Sequence, residues 1–104
     1  MLVAPAHLDP DRRRRAWLDA GPQAPGRAGA LAVEAVTQAG PISLVDDAGR
    51  MASELVASAI RHTQAPVELT VDADDEVVRI EVRDDEDPRS PGTGKVVSFE
   101  LRQR

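Results

Sequence analysis

The chain has 104 residues, enough for one hydrophobic core and too few for two independent ones, so a single domain is expected. A formal charge of −5, with acidic side chains gathered at 72–76 and 84–87, disfavours general attraction to nucleic acid or to anionic lipid. There is no cysteine, hence no disulfide or thiolate metal site, and nothing resembles a secretory leader or a long apolar span, which makes a cytoplasmic protein without membrane or nucleic-acid partners the expectation.

Residues Met1 to Asp11 carry two prolines and no sustained periodicity, and they read as an N-terminal arm ahead of a folded domain spanning 12–104. The basic run Arg12 to Arg15 leads into Ala16, Trp17 and Leu18, a short edge strand before the breakers Gly21, Pro22, Pro25 and Gly26. From Arg27 to Ala39, Leu31, Ala32, Ala35, Val36 and Ala39 recur at helical spacing, and Gly40 with Pro41 supplies a stop. A second helix follows, capped by Asp46 or Asp47 and running to about His62. Its apolar face is formed by Met51, Ala52, Leu55, Val56, Ala59 and Ile60.

Beyond Gln64 the period changes to two. Val67, Leu69 and Val71 alternate with polar residues, an acidic turn intervenes, and Val78, Ile80 and Val82 alternate again, which predicts an antiparallel hairpin. Asp85 to Gly94 reads as a loop, and Val97, Phe99 and Leu101 define a last strand. Two amphipathic helices and a half-apolar sheet imply an α/β two-layer sandwich, with an antiparallel or mixed sheet of three or four strands covered on one face. Trp17 and Phe99 are the only aromatic residues, so aliphatic side chains must fill the core.

Glu54, Ser58 and Arg61 form a polar stripe on the second helix, with His62 beside it. By itself such a stripe is an ordinary solvated face. Gly92-Thr93-Gly94-Lys95 lacks both the first glycine and the final hydroxyl residue of a phosphate-binding loop. No nucleophile elbow accompanies Glu54, Ser58 and His62, and His7 and His62 are too far apart in sequence to suggest a metal site. The four arginines at Arg12 to Arg15 lack interleaved aromatics and read as a solvated flank.

The segment Ser53-Glu54-Leu55-Val56-Ala57-Ser58-Ala59-Ile60-Arg61-His62 resembles the helix motif of the anti-sigma-factor serine kinases, a branch of the histidine-kinase-like ATPase superfamily. Val78 to Asp85 resembles that family's strand ending in the aspartate that accepts a hydrogen bond from the adenine amino group. Pro25 to Ala28 and Gly94 to Leu101 extend the likeness over roughly residues 15 to 102. The resemblance implies Glu54 as candidate base, Asp84 as adenine acceptor, Arg61 as a further nucleotide contact, and ATP with magnesium as cofactors. Ser58 stands where the family has its magnesium-binding Asn, and a hydroxyl is the shorter and weaker ligand. Glu86 and Pro88 replace two glycines that let the backbone approach the nucleotide. Asp85 to Lys95 is too short for the family's lid, second glycine motif and phosphate-capping helix.

The expectation is therefore a regulatory protein of the anti-sigma type that acts mainly by binding a sigma factor or an anti-sigma antagonist, with nucleotide binding weak or lost. The alternative is an ATP-dependent serine/threonine protein kinase using Glu54 and Asp84. A core this poor in aromatic residues also raises a homodimer as a source of stability.

Overall fold

A computed structural model describes residues 13–63, 65–84 and 96–103. The expected arm at Met1 to Asp11 and loop at Asp85 to Gly94 lie outside the described residues, as do His7, Arg12, Glu86, Pro88 and Lys95. The elements in chain order are β1 (Arg13–Leu18), α1 (Ala24–Ala39), a 3-10 turn (Ile42–Leu44), α2 (Val45–Thr63), β2 (Val67–Ala73), β3 (Val77–Asp84) and β4 (Val96–Arg102). No described helix is long and apolar enough to cross a membrane.

Helix boundaries follow local chemistry. α1 begins at Ala24, earlier than the expected Arg27, because Pro25 falls at its first turn. There the missing N–H costs no helical hydrogen bond and the fixed φ favours helix, so Pro25 opens the helix, as the likeness of Pro25 to Ala28 implies, and does not act as a breaker. Asp46 and Asp47 lie in the first turn of α2 and not at its cap, since the 3-10 turn feeds directly into Val45. They still face the positive end of the helix dipole, and Arg61 and His62 occupy the last turn at its negative end.

The sheet has four strands in the order β1-β2-β3-β4, all antiparallel. The β2–β3 hairpin is closed by Asp74, whose Oδ1 accepts the backbone N–H groups of Glu76 and Val77 at 2.9 Å each. This is the local acceptor role that makes Asp a turn residue. In register across the inner face, Leu18, Val67 and Asp84 form one row, Ala16, Leu69, Val82 and Val97 the next, then Arg14, Val71, Ile80 and Phe99. The opposite face carries Arg13, Arg15, Glu68, Asp72, Arg79, Glu81 and Arg83. Apart from Arg14 on the inner face and Trp17 on the outer, the period of two sorts apolar from charged side chains by face.

Both helices cover the inner face, completing the two-layer α/β sandwich. α1 lies over β1 and β2, α2 over β2 and β3, and α2 reaches β4 with its margin alone. The core is aliphatic: Leu69, Ile80, Val36 and Val56 are its larger fully buried members, and both aromatic residues lie at the surface. Small residues compensate by letting elements approach. A Cβ on Gly49 would stand 2.8 Å from Val33 Cγ2, and one on Gly29 would stand 3.2 Å from the Gly49 carbonyl oxygen, so the two helices touch almost backbone to backbone there. Ser53 Oγ donates to the Pro25 carbonyl oxygen at 2.9 Å and pins the same antiparallel pair one turn further along. Arg14, half-buried on the inner face at the sheet margin, reaches Gln38 and Glu34 of α1.

Leu69 sits at the centre of this core, fully buried between Ala16 and Val82. Leu69→Ala should lower the unfolding free energy by about 3 kcal/mol through lost transfer energy and a residual cavity. In urea denaturation the midpoint should fall while the slope stays constant, as for a change of stability without a change of exposed area.

Candidate functional site

The alternation that places Val78, Ile80 and Val82 on the inner face of β3 carries Asp84 onto the same face. A carboxyl group thereby enters an otherwise apolar row, only 8% exposed, beside Val67 of β2. Its Oδ1 is buried without a hydrogen-bond partner. An unpaired buried polar atom of this kind costs about 1–3 kcal/mol, and native structures tolerate few of them.

Asp84 also lines a cavity of about 420 Å³, together with Leu55, Ser58, Ala59 and His62 from α2, Val82 from β3, and Val97 from β4. The four α2 residues are spaced three, four and seven apart, so they form one stripe of the helix, and it faces the sheet where the helix cover thins toward β4. The walls are mainly apolar, with a hydroxyl, an imidazole and the orphan carboxyl as polar groups. A small number of directional groups in an apolar cleft is the usual form of a site for an aromatic or heterocyclic ligand.

The sequence-derived residues are divided by this geometry. Ser58 and Asp84 line the cavity together, whereas Glu54 and Arg61 are exposed and outside its lining. Each helical residue is turned by roughly 100° from the last, so a stripe through 54, 58 and 61 and a stripe through 55, 58, 59 and 62 share Ser58 and diverge elsewhere. His62 is exposed, in keeping with a surface role, and also lines the cavity mouth; the spacing Leu55, Ser58, Ala59, His62 carries the signal for that second feature.

The carboxyl group of Asp84 at the cavity wall fits an N–H donor, such as an exocyclic amino group of a purine, because a carboxylate is an acceptor only. The donor set does not fit magnesium. Ser58 is a lone neutral oxygen, Glu54 is outside the cavity, and the described residues hold no group of three or more His, Asp or Glu side chains placed to share a metal.

The outer sheet face carries a second concavity, of about 340 Å³, and several of its charged side chains are ion-paired across the sheet. Arg13 binds Asp72 at 3.0 Å, Arg15 lies 3.7 Å from Glu68, and Arg79 binds Glu100 at 2.6 Å. The hydrogen bond from Arg79, then its positive charge, holds the Glu100 carboxyl below the ordinary range, and the same contact raises the Arg79 guanidinium.

Comparison with protein-family models, with curated proteins and with solved structures finds no match. Two measurements test the local chemistry. Asp84→Leu removes an unpaired buried oxygen and should stabilise the free protein by about 1 kcal/mol, raising the melting temperature by about 4–8 °C; a lower melting temperature would show that the carboxyl has a stabilising partner. Glu100 is depressed in the folded state, so its contribution is present above the unfolded value and is lost as pH falls through the lower folded value. By carboxyl NMR its midpoint should lie below that of an isolated Glu, and Arg79→Ala or added salt should move it up.

Proposed function

We propose that the chain is a cytoplasmic regulatory domain related to the anti-sigma-factor ATP-binding proteins, acting by protein binding and keeping the base half of a nucleotide site without a phosphate half. One observation carries this reading: Asp84, nearly buried at the end of β3, lines a cavity whose described walls contain a carboxyl acceptor but no arginine or lysine. Phosphoryl transfer depends on positioning and charge stabilisation of the triphosphate. A pocket that grips the base alone leaves the phosphates without fixed partners, so ligand affinity rests on one directed hydrogen bond and apolar contact. The partner class this implies is a sigma factor or an anti-sigma antagonist, with recognition on elements away from the pocket, such as the exposed Arg27, Ala30 and Thr37 face of α1.

The kinase reading, with Glu54 as base, Ser58 as magnesium ligand and Asp84 holding adenine, draws support from Ser58 and Asp84 lining one cavity. It is the weaker one because Glu54 is outside that lining.

Calorimetric titration with adenosine and with magnesium-ATP separates the two. The expected outcome is weak binding of both, with affinities within about threefold, abolished by Asp84→Asn because an amide cannot reproduce the carboxylate's acceptor pattern. Magnesium-ATP bound about a hundredfold more tightly than adenosine, a difference of about 2.7 kcal/mol, would establish a phosphate site and overturn the proposal in favour of the kinase. Arg27→Glu and Thr37→Glu should each weaken a sigma-factor complex while leaving adenosine binding unchanged.

A further inference from the structure

The two edges of the sheet differ in a way that bears on assembly. β1 presents Arg13, Arg14 and Arg15 in succession, the charged protection that natural edge strands use against pairing with another chain. β4 has no such guard. It pairs with β3 on one side from Val96 to Arg102, and its other side has no strand among the described residues. Val96, Val97 and Phe99 are 55%, 46% and 44% exposed, and Val97 and Phe99 stand on the inner face where α2 stops short.

We propose that β4 pairs antiparallel with β4 of a second copy of this chain about a two-fold axis through Phe99, joining two sheets into one of eight strands. The register is selected by the sequence of the strand. Side chains opposite each other across an antiparallel pair share a face, so the axis must pass through a residue and not between two. An axis at Glu100 pairs only five of the seven strand positions and leaves Val96 and Val97 without a partner in the strand. An axis at Ser98 likewise pairs only five of the seven positions and leaves Leu101 and Arg102 without a partner in the strand. An axis at Phe99 matches all seven: Phe99 meets Phe99, Val97 meets Leu101 on the inner face, Ser98 meets Glu100, and Val96 meets the Arg102 stem on the outer face. Glu100 already binds Arg79 and Arg102 of its own chain, so its charge does not oppose the contact.

The second copy is favoured over an unrelated strand because this one register satisfies both faces at once, apolar against apolar on one and neutral or compensated on the other. Val97 also lines the cavity that holds Asp84, so pairing sets the second copy's Leu101 beside that cavity and extends its floor. This inference does not depend on the nucleotide reading.

Sedimentation velocity on the full chain from about 10 µM to about 1 mM should show a concentration-dependent monomer–dimer equilibrium, as expected for an interface smaller than the ~1,200 Å² of stable complexes. Phe99→Lys puts two ammonium groups on the axis and should leave a monomer with unchanged circular dichroism. The chain has no cysteine, so Phe99→Cys introduces a single thiol that should form a symmetric disulfide at least about tenfold faster than Arg13→Cys on the guarded edge. A wild-type chain that stays monomeric up to about 1 mM, a Phe99→Lys variant that dimerises like wild type, or equal cross-linking of the two cysteine variants would each overturn the proposal.

Discussion

The contact on which the rest of this fold depends is the close approach of α1 and α2 at Gly29 and Gly49. With no aromatic side chain in the core, the interior cannot be filled by a few large groups, and the available alternative is to bring backbones together over small ones. Ala28, Ala32, Ala48 and Ala52 are all fully buried, in keeping with a seam at the short end of the usual ~8–10 Å separation of packed helices. Dispersion contacts are individually small, so the seam works through their number and through the absence of voids.

A narrow helix layer has a consequence for the sheet beneath it. α1 and α2 cover β1 to β3 and leave the β4 side of the inner face thinly covered. The cavity beside Asp84 and the exposed Val97 and Phe99 are two results of that one shortfall. The outer face needs no cover, because the Arg13–Asp72, Arg15–Glu68 and Arg79–Glu100 pairs sit in water across neighbouring strands. Their individual contributions are modest and screened by salt, but they give the open face a register-specific charge pattern.

Within the cavity, polar chemistry is sparse and directional. One carboxyl, one hydroxyl and one imidazole residue line otherwise apolar walls, an arrangement that orients a small heterocycle better than it holds a highly charged group. Burying Asp84 has an energetic cost in the free protein, and a bound donor would offset it. That links local destabilisation to recognition, as often found where a side chain breaks the pattern of its strand.

The sequence by itself determined the order of elements, the face each strand turns inward and the two-layer arrangement, because periods of 3.6 and 2 are local properties written in the spacing of apolar residues. It also placed Asp84 on the inner face, since that follows from counting in twos from Val82. The helix opening at Pro25 was legible from the segment Pro25 to Ala28, whereas the apolar periodicity alone starts only at Arg27, because the first turn carries few core-facing residues. Only the tertiary structure decided that Ser58 and Asp84 share a cavity with His62 while Glu54 and Arg61 are exposed outside it, and that Phe99 lies beyond the helix cover. Those facts depend on the rotation of α2 about its axis and on how far the helix pair extends across the sheet. Both are set by the fit of α1 against α2 at Gly29 and Gly49, a contact between residues distant in sequence that no local pattern encodes.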